Sequence, residues 1–332
     1  MTTEAQPVAR KHPHLPAVTL LPDRVLYRIS GPGTDDFLQG QMSQNLAEVV
    51  DGYSPRAAAS NPKGRAYLLT RLVRDGDDIL LAMPAAIADE VAAHLNKYLM
   101  LFRKTRMERL DGAHTAGLLG EAAAGTVAGE SITLPAAACG TVPVAGGYLI
   151  RTNDTAEGIA RFELWLPGGL EGALQQRLDE LPQASPADWE LSEIAAGIAE
   201  LTPGTREAWV PQMLNWQHLD GIHFKKGCYT GQEVIARMHF LGQLKKSLFR
   251  LGAAAGEGPP AGANLVADGK SVGEVVRSVA LDDGSVQLLA VLKHAAAGTD
   301  LALEADGQPL VLLPLPYGVP EREKVEEDRS DT

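Results

Sequence analysis

Cysteine is almost missing from this chain: Cys139 and Cys228 are the only two in 332 residues. No Cys-x-x-Cys pair occurs. An iron–sulfur cluster needs about four thiolate or equivalent ligands, so no permanently bound metal is expected. Residues 1–17 hold no apolar signal-peptide core, and without an export signal a disulfide between the two cysteines is not expected either. No run reaches the roughly 18 apolar residues that suggest a membrane span. The expectation is a cytoplasmic protein with no membrane partner. His-Glu-x-x-His, the dinucleotide-binding glycine loop after a strand, and the P-loop are also missing, so nothing points to ATP or dinucleotide chemistry. Aromatic residues are scarce at 5%, yet 45% of the chain is hydrophobic and 22% charged, enough apolar material for sizeable cores. The net charge of −12 makes a poor sequence-independent nucleic-acid binder. One stretch is locally basic: Lys225, Lys226, Arg237, Lys245, Lys246 and Arg250.

The length implies two or three domains. Residues 25–31 read as a strand, followed by a helix with Thr34 as N-cap. Residues 66–83 are two apolar runs around Asp75-Gly76-Asp77, a hairpin signal. Pro84 then opens a helix with Ile87, Val91, Leu95 and Tyr98 on one face. The pattern recurs: two strand-like runs in 147–166, then Pro167 and a helix carrying Leu170, Leu174, Leu178 and Leu181. After Gly242, short apolar runs are broken by Gly and Asp-Gly turns, which suggests a small antiparallel barrel. The fold class is therefore α+β, with two related α+β portions (18–110 and 111–242) and a C-terminal antiparallel β-barrel (243–318). The ends, 1–17 and 319–332, read as disordered tails.

The stretch His223–Gly242, HFKKGCYTGQEVIARMHFLG, sets Cys228 behind two lysines and a glycine, with a helix expected from about Thr230. Val234, Ile235, Met238 and Leu241 share a face and should pack on a core. A thiol near a helix N-terminus and beside Lys225 and Lys226 sits where thiolate is favoured. From residue types alone two readings stand: a reactive thiolate, or a half-buried cysteine beside surface lysines. Cys139, in LPAAACGTVPV, has an apolar setting and reads as inert. The turn SNPKGRAYL offers Asn61, Lys63 and Arg65 to an anionic or amide-rich ligand. VPQMLNWQHLDG brings Gln212 and Asn215 together with Trp216, an indole that either stacks on a flat ring or packs in a core.

KKGCYTGQEVIAR (225–237), FLQGQMSQN (37–45), NPKGRAYL (61–68) and PQMLNWQHLDGIHF (211–224) together resemble the blocks of the YgfZ family of folate-binding proteins, relatives of the glycine-cleavage T-protein, an aminomethyltransferase. The resemblance covers about residues 20–317. It implies two aminomethyltransferase-like portions and a barrel around a central opening for tetrahydrofolate or a derivative. It implies an accessory role, without turnover, in assembling or maintaining iron–sulfur clusters of client enzymes, including tRNA-modifying ones, under oxidative stress. Assembly machinery or client proteins would be partners, with weak tRNA contact. By position, Cys228 and Lys226 become the catalytic pair, and Gly227, Tyr229, Gly231, Gln232, Glu233 and Arg237 the rest of the motif. Asn61, Lys63, Gly64, Arg65, Gln212, Asn215 and Trp216 become folate contacts. Two departures stand out. The aminomethyltransferases resemble Gly-Gly-x-x-Asp-Asp where this chain has Lys63-Gly64-Arg65-Ala66-Tyr67-Leu68, and Ala195 falls where their pterin-gripping carboxylate would. A one-carbon transferase and a tRNA-binding module using the 225–250 basic strip are the alternative functions.

Overall fold

In the computed structural model, residues 15–170, 172–242, 244–304 and 307–320 are described. The expected tails lie almost wholly outside them. The first strand, β1 (Ala17–Leu20), pairs antiparallel with a strand about a hundred positions later, residues 114–119. Next come β2 (Arg24–Ser30), α1 (Thr34–Gln41), β3 (Arg56–Ser60), β4 (Ala66–Asp75), β5 (Asp78–Pro84), α2 (Ala85–Leu99) and β6 (Arg106–Arg109). They form an antiparallel sheet in the order β3-β4-β5-β2-β6. Thr34 is the first helical residue of α1 rather than its cap, a position Gly33 takes.

The same order of elements then repeats: β7 (His114–Leu119), α3 (Glu121–Ala128), β8 (Thr141–Val144), β9 (Gly147–Arg151), β10 (Arg161–Leu166) and α4 (Gly172–Asp179). The second sheet runs β1-β7-β10-β9-β8. Each sheet is apolar on both faces, which follows from the period-two alternation of a strand buried on two sides. In β5, Ile79, Leu81 and Met83 join the core under α1 and α2, while Leu80 and Ala82 meet Ile150 and Trp165 of the second sheet. Leu174 and Leu178 of α4 close the outer face of the second sheet. Two sheets thus pack face to face with helices outside, and the expected duplicated unit is present; Pro84 caps α2, but Pro167 and Leu170 precede α4 and Leu181 follows it.

The chain then continues through α5 (Pro186–Ala195), two short 3₁₀ turns (Pro211–Leu214 and Trp216–Leu219) and α6 (Gln232–Leu241). A capping box, Ser185 with Asp188, and Pro186 in the first turn fix the start of α5. Six strands close the barrel: β11 (Lys246–Ala253), β12 (Asn264–Ala267), β13 (Lys270–Ala280), β14 (Val286–Lys293), β15 (Leu301–Leu303) and β16 (Pro309–Leu313), in the order β11-β14-β13-β12-β15-β16. Gly269-Lys270-Ser271-Val272-Gly273 spells a Gly-x-Ser-x-Gly, but it runs from a hairpin turn into β13. Hydrolase nucleophile elbows need a strand–turn–helix, so this serine is no nucleophile.

The packing divides the chain differently from the boundaries expected at 110 and 242. Leu191, Ile194, Trp209, Leu214, Trp216, Tyr229 and Ile235 join the core of the first sheet, together with Leu248 and Val291 of the barrel. The motif-bearing segment therefore crosses back to the first unit, while β1 belongs to the second. Alternation and periodicity locate elements; they do not say which sheet an element covers.

Candidate functional site

Three of the stretches singled out in the sequence meet at the motif loop. The loop lies on the segment that ends α1. His223 N donates to Ser43 O at 2.9 Å, and Thr230 N to Gly40 O at 3.1 Å. Lys226 closes the contact. Its Nζ donates to the carbonyls of Gln39 (2.7 Å), Met42 (2.7 Å) and Gln44 (2.8 Å). The carbonyls in the last turn of a helix lack partners within the helix, and the dipole makes that end negative. An ammonium carries three donors, and here all three are used. The ammonium also sits 4.8 Å from the centroid of the Tyr229 ring. Burial pushes Lys226 down to about 7; the three carbonyls, which only the charged form can satisfy at once, oppose that.

Lys226 is therefore not the surface cation beside the thiol that the sequence suggested. It is 7% exposed and turned into the protein. Lys225, Gly227 and Cys228 are exposed, and the Cys228 thiol is free. Nor does the helix begin at Thr230: α6 starts at Gln232 behind Gly231, a left-handed N-cap with φ 84°. The thiol thus stands three residues before the cap. Of the expected apolar face of α6, Ile235 is fully buried and Val234 and Met238 are half-buried, while the side chain of Leu241 lies outside what is described. Gln232 is half-buried, Glu233 and Arg237 exposed.

The Asn61–Arg65 turn supports this helix from the other side. A Cβ on Gly231 would come 2.7 Å from Asn61 O, and one on Gly64 2.8 Å from Val234 Cβ. Both positions also have positive φ, so glycine is required twice over. Asn61 Oδ1 accepts from the amides of Lys63 (2.9 Å) and Arg65 (3.1 Å), and its Nδ2 donates to Glu207 Oε2 at 2.9 Å. Arg65 donates to the carbonyl of Ala208. Gln212 Nε2 donates to Ile235 O at 2.6 Å, and Asn215 Nδ2 to Leu248 O at 2.9 Å. These side chains position backbone. Of the seven expected folate contacts, Trp216 alone lines the central cavity.

That cavity lies between the two sheets and α5, and its charged lining went unread in the sequence. Arg24, Arg56 and Arg71 face Glu163, Glu193 and Glu200, with Trp165, Trp189 and Trp216 between them. Arg71 grips Glu163 with two bonds, Nε–Oε2 at 3.3 Å and Nη2–Oε1 at 3.1 Å. Glu193, 4% exposed, faces three guanidiniums: Arg161, Arg277 at 3.3 Å and Arg24 at 3.7 Å. Burial alone would raise its carboxyl; Arg161, Arg277 and Arg24 overcome that and hold it far below the usual carboxylate range. Burial, then Arg71 beside it, lower Arg56 to about 10. Cys139 is buried, but its Sγ lies 3.6 Å from Arg71 Nη1, so its setting is not simply apolar. The sequence signal for this network was charge set inside apolar strand runs, Arg71 within β4 and Arg161 and Glu163 within β10.

With these side chains paired, the cavity does not admit a reduced pterin. The cavity encloses about 40 Å³, against roughly 300–1,000 Å³ for small-molecule clefts. Three buried polar atoms of its lining have no hydrogen bond: Arg56 Nε and Trp216 Nε1, both donors, and Glu200 Oε2, an acceptor already held in an ion pair with Arg24. The pterin edge that a carboxylate would grip is a donor too. Glu193 and Glu163 are held by arginines, and Ala195 is fully buried without a polar group. Cys228 is not part of the lining. Among the described residues, no three His, Cys, Asp or Glu are grouped to hold a metal, and no helix is long and apolar enough to cross a membrane.

No family model matches the chain. It is 30% identical over 322 residues to the tRNA-modifying protein YgfZ of Escherichia coli O157:H7 (strain EC4115 / EHEC), covering 95% of this chain and 97% of that one. Identity to the tRNA-modifying protein YgfZ of Sodalis glossinidius (strain morsitans) is 31% over 316 residues, 93% and 95% of the two chains. In fold it is similar to the glycine cleavage system aminomethyltransferase T from Bartonella henselae, with a TM-score of 0.70 at 21% identity over 94% of this chain and 88% of that one.

Two outcomes are expected. Lys226→Met leaves three carbonyls unmet and should cost at least about 2 kcal/mol in urea denaturation; Lys226→Arg should not rescue it, because a planar fork cannot serve three acceptors around one point. For Glu193, a depressed folded pKa contributes stability that is complete above the unfolded value of about 4.3 and is lost as pH falls below it. Glu193→Gln should therefore flatten the acid limb of a stability–pH profile, while costing about 3–5 kcal/mol at neutral pH by leaving the buried Arg161 without its carboxylate; Arg24 and Arg277 keep Glu200 and Glu190.

Proposed function

Because the chain belongs to the YgfZ family, we propose that it is an accessory factor for assembling or maintaining iron–sulfur clusters in client enzymes, tRNA-modifying enzymes among them, acting through Cys228. The observation that carries this reading is an exposed thiol on a loop whose backbone is pinned from beneath. The Lys226 clamp, the glycine contact between the Asn61–Arg65 turn and α6, and the Gln212 bond to Ile235 O hold the thiol's neighbours while the sulfur stays open to a partner. One thiolate cannot hold a cluster; it can take a transient ligand position or form a passing covalent bond. Assembly proteins or clients are the partners this supports, in a reducing cytoplasm that keeps the thiol free.

Folate enters as the ligand class of the fold. Its entry into the central cavity requires the Arg71–Glu163 and Arg56 side chains to part, and no step of the proposed chemistry runs through it. One-carbon transfer is the weaker reading, because the carboxylates of the cavity are engaged by arginines.

Complementation of a deletion strain tests the proposal, with the activity of a cluster-dependent tRNA-modifying enzyme under oxidative stress as the readout. Cys228→Ala should fail to restore activity, although its stability should stay within about 0.5 kcal/mol of the parent because the residue is exposed. Full rescue by Cys228→Ala would remove the thiol from the mechanism. Tetrahydrofolate entering the cavity should alter the emission of Trp165, Trp189 and Trp216; unchanged emission under saturating ligand would remove folate from the reading.

A further inference from the structure

We propose that the groove between the C-terminal end of α2 and β6 binds the backbone and unstacked bases of a single-stranded RNA loop, as in tRNA. It is lined by Lys97, Met100, Phe102, Arg103, Lys104 and Arg106 among others, and no Asp or Glu contributes to the lining. On a chain of net charge −12 such an acid-free cationic groove is a departure from the rest of the surface. Lys97, Arg103 and Lys104 have no carboxylate partner among the described residues, and Arg106 has an exposed one, Glu108, at 3.0 Å. The groove opens about 620 Å³, within the roughly 300–1,000 Å³ of ligand clefts. At its edge stand Met100 and Leu101, 80% and 79% exposed. Large apolar side chains thrust into water beside unpaired cations match a ligand with flat apolar faces strung on anions. Asn96 adds an amide on the rim that can pair with base edges.

The turn that carries these residues is held in place. Phe102 packs edge-on against Phe37 at 5.6 Å, and Gly33 N donates to Thr105 Oγ1 at 2.9 Å. Gly31 lies so close beneath that a Cβ there would come 2.2 Å from Lys104 O. An anchored turn offers its cations without a large ordering cost. Two members of the basic strip read from the sequence are engaged elsewhere. Lys226 is spent on its three carbonyls, and Arg250 is buried against Glu157 and Gln287.

This inference rests on the reading above for its choice of RNA over another polyanion. The test is fluorescence anisotropy of labelled bulk bacterial tRNA across a salt series. The combined variant Lys97→Glu, Arg103→Glu, Lys104→Glu should bind at least tenfold more weakly. Its slope of log affinity against log salt should shrink by about 2, at roughly 0.7 per single-strand phosphate contact. Met100→Ser with Leu101→Ser should lower affinity and leave the slope unchanged. A matched triple on the barrel, Lys245→Glu, Lys270→Glu, Lys293→Glu, should bind as the parent does. The proposal is overturned if the parent does not bind tRNA at low salt, if the barrel triple loses as much, or if polyglutamate or phosphatidylserine vesicles displace tRNA from the parent and bind more tightly. Loss of the groove with Cys228 still required would leave the cluster reading standing. An intact groove with Cys228 dispensable would remove that reading and keep the groove.

Discussion

One buried carboxylate ties the molecule together. Glu193 on α5 meets Arg24 from the first sheet, Arg161 from the second and Arg277 from the barrel. Taking such charges out of water is expensive, and their mutual attraction offsets the cost only when geometry and further hydrogen bonds are good. Here they are: Arg161 also bonds Ser192 and the carbonyl of Asn153, and Arg277 bonds Glu190 and the carbonyl of Ile198. A hydrophobic contact would tolerate sliding between the three parts. An ion cluster with fixed partners does not, so the relative placement of sheets and barrel is set at this point.

That constraint also decides what the centre of the molecule can do. The fold is that of an aminomethyltransferase, yet the opening between its halves is filled by side chains that bind one another. The motif itself lies at the surface, where the Cys228 loop rests on the end of α1. The lysine beside it works as a fastener: its charge goes to helix-end carbonyls and its effect on the thiol is to hold the loop still.

Much of this was legible in the sequence. The two leucine- and valine-patterned helices behind hairpins revealed the duplication, because periodicity and turn chemistry are local, although α4 starts at Gly172 rather than at Pro167. The barrel was legible for the same reason. What was hidden depended on which way a residue faces. Lys226 sits among polar neighbours and looks like surface until Gln39, Met42 and Gln44 arrive beneath it. Gln212 and Asn215 have the chemistry of ligand contacts and serve backbone instead. Arg71 and Glu163 are charges set inside apolar strand runs, ninety-two positions apart, and their pairing exists only in three dimensions. The exchange of β1 and the motif segment between units left no trace in local pattern.

That exchange has a kinetic corollary. Chains emerge from the ribosome N-terminus first, and domains tend to fold as they appear. The strands of the first sheet all come from residues 24–109, yet β1, made before all of them, must wait for β7 to be synthesised before it can pair. β1 is thus translated ahead of the first sheet and docked late, its edge unpaired until β7 arrives.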